Sequence, residues 1–260
     1  MRKYTICGCF RSLTTPVANM LNMHPDIVSF NELWYYRSDN QFNSKMQNII
    51  RNNLDPFGPQ SRDKCVEFRD KVRQKYGSKH MSKDDIVKIA IDVFGKQNVS
   101  CLIDKLPEYV YHISNIKTQY NTKFIQMIRD PREVIEAQIR RYELCKQHRY
   151  KPGSWQQPTP KACVDFKLSW LNMTNEWEKN KKLLKPDEYF ILNCNEIFED
   201  SDTTATKLAQ FLEVDPIPII KEFKRFNPEK QHLWRKRFPN LTNQLPKSWI
   251  KRMDEYGIKI

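Results

Sequence analysis

A chain of 260 residues that is 39% hydrophobic and 12% aromatic has the bulk for one folded α/β domain, which excludes an intrinsically disordered polymer. No run reaches the roughly 18 apolar residues of a membrane-spanning helix, and the opening MRKYTICG has too short an apolar stretch for a signal peptide. The net charge of +13 favours anionic partners, such as nucleotides, nucleic acids, sulfated glycans or acidic peptides, without choosing among them.

In chain order, Tyr4–Cys7 predicts a short strand, followed by a loop and a helix with Val17, Met20 and Leu21 on one face that stops at His24-Pro25. Ser82 caps a predicted helix over 83–94 that Gly95 ends, and Val99–Ile103 predicts a buried strand. A helix is expected over 107–118, a strand over Lys123–Ile128, and a further helix opened by Asp130-Pro131. Beyond it the pattern predicts a long amphipathic helix over 162–184, a strand over Tyr189–Leu192 and a helix over 203–212. Alternating strands and helices argue for a three-layer α/β sandwich with a mostly parallel central sheet and ligands at the carboxyl ends of its strands. Residues 36–80 and 146–161 are polar and strand-poor, so they are expected as loop or lid insertions in a single domain spanning 1–260.

Seven cysteines form an odd set with no Cys-x-x-Cys pair, which speaks against a disulfide framework or a zinc site. They read as reduced thiols in a cytoplasmic protein. No metal is expected.

The loop after the first strand carries the most chemistry. Thr14 or Thr15 can serve as N-cap, with Pro16 at the first helical position, so free N–H groups and the helix dipole point back toward the strand end. That end suits a phosphate or sulfate, and the permanently charged Arg11 sits inside the curve. The Walker A pattern is absent, because Leu13 stands where a glycine would and no lysine precedes Thr14.

The run GCFRSLTT from Gly8 to Thr15 resembles the G-x-P-R-S-G-T-T signature of sulfotransferases that use 3′-phosphoadenosine 5′-phosphosulfate (PAPS). HPDIVSFNE from His24 to Glu32 looks like that family's His-Pro-x-Ile and acceptor-site Glu, and KLPEY from Lys105 to Tyr109 its K-T-P-x-Y segment. KFIQMIRDPREV from Lys123 to Val134 is close to its 3′-phosphate segment, and NEIFED (195–200) with AQFLEV (209–214) is similar to its E-D-L and F-L-G-V segments. The matches follow the family's order and span residues 3–214.

The resemblance implies a P-loop-NTPase-like fold and sulfuryl transfer from PAPS to an acceptor hydroxyl of a carbohydrate, phenol or tyrosine, with PAP as product. It implies Glu32 as general base in the manner of tyrosylprotein and heparan-type enzymes, with His24 as a rival. Arg11 and Lys105 would act on the sulfonate. Arg11, Ser12, Leu13, Thr14 and Thr15 would hold the 5′ end of the nucleotide, and Arg129 its 3′-phosphate. The family's serine eight residues after the 3′-phosphate arginine is replaced by Ala137, so Arg140, Arg141 or the Arg235–Arg237 cluster, with Arg235 and Arg237 as cofactor-binding candidates, would compensate. A small-molecule kinase of the same broad fold and a non-catalytic nucleic-acid-binding protein are the alternatives. Neither nucleic acid nor membrane is expected as a partner, and Trp34, Tyr35, Tyr36 and Trp155 could stack on an acceptor ring.

Overall fold

The computed structural model describes residues 1–259 apart from Ser78, Tyr150, Ser154 and Trp155, so the expected Trp155 contact lies outside the described residues. Five parallel strands form the centre: β1 (Arg2–Gly8), β2 (Ile27–Asn31), β3 (Cys101–Lys105), β4 (Lys123–Ile128) and β5 (Tyr189–Asn193), in the order β2-β3-β1-β4-β5. The helices are α1 (Thr14–Leu21), α2 (Asp39–Arg51), α3 (Arg62–Tyr76), α4 (Lys83–Val93), α5 (Ile113–Tyr120), α6 (Pro131–Gln147) and α7 (Pro160–Asp165). They continue with α8 (Trp170–Lys181), α9 (Cys194–Glu199), α10 (Ser201–Leu212), α11 (Pro216–Phe223), α12 (Leu233–Arg237), α13 (Leu241–Gln244) and α14 (Lys247–Glu255). Among the described residues no helix is long and apolar enough to cross a membrane.

Strand alternation sorts the core into two layers. Tyr4, Ile6, Ile103, Ile125 and Met127 point to one face, where Val17 and Leu21 of α1, Leu208 and Leu212 of α10 and Phe223 of α11 cover them. Cys7, Leu102, Phe124 and Ile128 point to the other, under α2–α4, α6, α8 and α14. Both faces are closed, as a parallel sheet requires. The chain leaves β1 toward β2 and leaves β4 toward β5, so the gap between the carboxyl ends of β1 and β4 is a topological switch point.

The structure departs from the expected elements in three places. Residues 36–80, expected as an insertion loop, fold largely as α2 and α3. Ser38 and Gln41 form a capping box, and Phe42, Met46, Ile49 and Ile50 make a helical stripe buried in the core, so the polar composition belongs to the outer faces. The single helix expected over 162–184 breaks into α7 and α8, because Phe166 is extended at ψ 134°. The break turns Trp170 inward, where its Nε1 donates to the Arg129 carbonyl at 2.9 Å. β2 was not read as a strand; it is only five residues long and lies directly behind the His24-Pro25 stop.

All seven cysteines are buried free thiols. Among the described residues no group of three or more His, Cys, Asp or Glu side chains is arranged to hold a metal.

Candidate active site

The site begins where β1 ends. Gly8 sits at φ 141°, and a Cβ there would lie 2.6 Å from the Met127 carbonyl oxygen, so glycine alone lets β1 peel away beside β4. Ser12 N–H then closes a turn on the Cys9 carbonyl at 3.2 Å. Arg11 and Leu13 both take left-handed backbone, at φ 68° and 59°.

Helix α1 starts one or two residues earlier than its threonines suggested. Leu13, not Thr14 or Thr15, is the N-cap, and no side chain caps it; Pro16 is the third helical residue rather than the first. The reason lies in Leu13: it takes a left-handed conformation that glycine would take freely, at a cost of about 1–2 kcal/mol. Its side chain packs on the α1 face of the core, which offsets that cost. With no side-chain cap, the first-turn N–H groups of Thr14 and Thr15 keep no intrahelical partner and remain donors for a ligand.

Two neighbouring cavities share Arg11, Thr14 and Thr15. The larger, about 280 Å³, continues to Glu32 and Lys105 at the ends of β2 and β3; the smaller, about 80 Å³, continues to Arg129 at the end of β4. A wider concavity of about 700 Å³ lies elsewhere, on α2 around Asn43 and His80, and contains none of the candidate residues.

Arg129 is 9% exposed. Its Nε and Nη2 grip one oxygen of Glu133 at 2.8 and 2.7 Å, while Nη1 donates to the Arg11 carbonyl at 2.8 Å. Asp130 caps α6 through the Arg132 N–H. Glu133 does not reach back to complete a capping box, because Arg129 and the His232 N–H occupy it. Arg11 is solvent-accessible, yet its basicity is pushed down to about 10, first by desolvation within the crevice and then by the cations of Arg129, Arg140 and Arg141. Glu136 opposes them only in part. The guanidinium stays charged at neutral pH, and this crowding of like charges is what a polyanion would relieve.

Across the larger cavity Lys105 is 2% exposed and donates from Nζ to Glu32 Oε1 at 2.7 Å. It is therefore not a solvated lysine at a strand end. The main chain ties the same pair, since Glu32 N–H donates to the Lys105 carbonyl at 2.7 Å. Glu32 itself sits at φ 57°, with its side chain 42% exposed.

Asp104 was missed by the sequence reading. It is wholly buried, and its two oxygens accept from Leu33 N–H at 3.0 Å, Tyr35 N–H at 2.8 Å and the Tyr109 hydroxyl. Burial raises its pKa, and these three donors pull the other way. The carboxylate thus fixes the bend that carries Glu32 and Trp34, both in left-handed backbone. A signal existed: an acidic residue inside the otherwise apolar strand CLIDK needs partners.

Other candidates lie outside the cavities. Ser12 is fully buried, its hydroxyl has no hydrogen-bond partner among the described residues, and it lines neither cavity. His24 is buried, accepts from Asp26 N–H at Nδ1 and pairs through Nε2 with the Asp215 carbonyl, both at 3.0 Å, which makes it a structural residue. Arg235 stacks on Trp234, and Arg237 pairs with Glu143 and, at 3.7 Å, with Glu136 of α6. Neither lines the two cavities. Tyr35 and Tyr36 are buried core residues, whereas Trp34 is half-buried with the Lys45 ammonium 5.3 Å from its ring centre.

The arrangement joins a helix start without a side-chain cap, two arginines beyond strand ends and a carboxylate-lysine pair around one crevice. A family model described as Sulfotransferase family matches residues 5–218. Among solved structures, the sulfotransferase domain from the curacin biosynthetic pathway superposes with a TM-score of 0.62 at 14% identity, covering 100% of this chain and 99% of that one. The sulfotransferase domain of the Synechococcus PCC 7002 olefin synthase gives 0.61 at 16% identity, over 100% and 95% of the two chains. Sulfotransferase STF9 from Mycobacterium avium gives 0.52 at 14%, over 100% and 78%. At these identities the superpositions speak for the fold alone. No curated protein matches the chain in sequence.

Proposed function

The chain belongs to the sulfotransferase family, and we propose that it moves a sulfuryl group from PAPS to an acceptor hydroxyl of a carbohydrate, phenol or tyrosine, releasing PAP. The observation that carries this reading is the shared crevice: Arg11, Thr14 and Thr15 border both the Glu32–Lys105 cavity and the Arg129 cavity at the switch point of the sheet. A nucleotide with phosphates on both the 3′ and the 5′ position of its ribose needs two neighbouring cationic sites.

In this reading the amides and hydroxyls of Thr14 and Thr15 hold the 5′-phosphate, and Arg129 holds the 3′-phosphate. Arg140 and Arg141 are within electrostatic reach of Arg11 and supply charge where Ala137 has no hydroxyl. Arg11 and Lys105 stabilise charge on the sulfonate and the departing phosphate, so positioning and fixed cations lower the barrier. Glu32 receives the acceptor's proton as the acceptor oxygen bonds to sulfur and the bond from sulfur to the 5′-phosphate oxygen breaks. Transfer of labelled sulfate from PAPS to a panel of phenols, sugars and tyrosine peptides tests the activity. Thermal stabilisation by Mg-ATP but not by PAP would instead favour a kinase.

A further inference from the structure

Resting on that proposed function, we infer that Glu108 selects the acceptor: it favours a hydroxyl compound that presents a second hydrogen-bond donor, neutral or cationic, and disfavours one that carries an anionic group. The larger cavity has two chemically distinct sides. Arg11, Thr14 and Thr15 form the nucleotide side, while Phe10, Leu106 and Pro107 give an apolar wall and Glu32 and Glu108 two carboxylates.

The two carboxylates are not equivalent. Glu32 is neutralised by Lys105 at 2.7 Å. Glu108 is the second residue of the short 3-10 turn Pro107–His112 and is half-buried, and its carboxylate makes no hydrogen bond or ion pair with any described residue. Lys105 pairs with Glu32, and Arg11, which lines both cavities, faces the sulfonate with it. With a nucleotide on the cationic side, the charge left facing the acceptor is the Glu108 carboxylate.

The +13 of the whole chain does not override this, because exposed charges are screened beyond about 8–10 Å at physiological salt, whereas a carboxylate in the same cavity acts at short range. A ring held in a cavity of about 280 Å³ lies close to the residues that line it, Glu108 among them. A sulfated glycan or an acidic tyrosine peptide would bring like charge to it. An amine or a further hydroxyl would supply the donor it lacks.

The test uses three matched phenols: tyramine (cationic), 4-ethylphenol (neutral) and 4-hydroxyphenylacetate (anionic). Each is titrated calorimetrically into the PAP-saturated full chain, with wild type, Glu108→Gln and Glu108→Lys compared. Wild type is expected to bind tyramine at least about tenfold more tightly than 4-hydroxyphenylacetate. Glu108→Gln should shrink that ratio to within about threefold, and Glu108→Lys should invert it. Both variants should still bind PAP, no more weakly than wild type, which also reports that they are folded. Equal binding of the amine and the acid by wild type, the same ratio in all three proteins, or no phenol binding to a PAP-loaded chain would overturn the inference. Failure of wild type to bind PAP would instead overturn the proposed function, and this inference with it.

Discussion

The Arg129 guanidinium donates from Nη1 to the main-chain carbonyl of Arg11 at 2.8 Å, so the tip of β4 holds the loop that follows β1. One side chain thereby joins the two cationic sites, and Glu133 sets its orientation through two further bonds. Arg129→Ala should weaken PAP by about 10- to 100-fold, the worth of one charge-assisted contact, while leaving adenosine 5′-phosphate much less affected. Glu133→Gln keeps the cation but loosens its fork, so the loss should be smaller and of the same selectivity. Equal weakening of both nucleotides by Arg129→Ala, measured by calorimetry, would contradict a 3′-phosphate role.

Glu32 and Lys105 form a pair whose partners come from the ends of adjacent strands. Glu32→Gln removes the proton acceptor and keeps the shape. Single-turnover transfer should fall by about 10²- to 10⁴-fold with PAP affinity unchanged. Unaltered transfer would remove Glu32 from the mechanism.

Asp104 holds the bend that carries Glu32 through two main-chain N–H groups and the Tyr109 hydroxyl. Asparagine can accept with one oxygen only. Asp104→Asn should cost about 2 kcal/mol in urea unfolding, the order of one buried charged hydrogen bond, and lower kcat while the PAP Kd stays within about twofold. A parallel loss of PAP binding would show that the bend serves the nucleotide rather than Glu32.

Gly8 combines φ 141° with a 2.6 Å approach to the β4 backbone. Gly8→Ala should cost about 2–4 kcal/mol, the sum of backbone strain and overpacking. Chemical denaturation reads this directly, and a midpoint within error of wild type would refute the close approach.

Much of this architecture was legible because strands buried on both faces must read as apolar runs, as the greater part of CLIDK and KFIQMI does. Arg11, Lys105 and Arg129 were accessible for a related reason: each sits at or just beyond a strand's carboxyl end, where a parallel sheet places its ligands. α2 and α3 were not, because composition averaged over 36–80 hides the stripe of Phe42, Met46 and Ile49. The start of α1 was misplaced because threonine preference was weighed and the left-handed turn at Leu13 was not; residue type does not announce a strained φ. The bond from the His232 N–H to Glu133, and the engagement of Arg237 with Glu136 and Glu143 of α6, depend on packing between segments about 100 residues apart, which no local pattern encodes.

The central claim is that one crevice holds both ends of a doubly phosphorylated adenosine. The most direct measurement is calorimetric titration of the wild-type chain with PAP and with adenosine 5′-phosphate under the same buffer and salt. PAP should bind at least about tenfold more tightly, since the second phosphate adds charge-assisted bonds. Equal affinities, or no binding of PAP, would contradict the account.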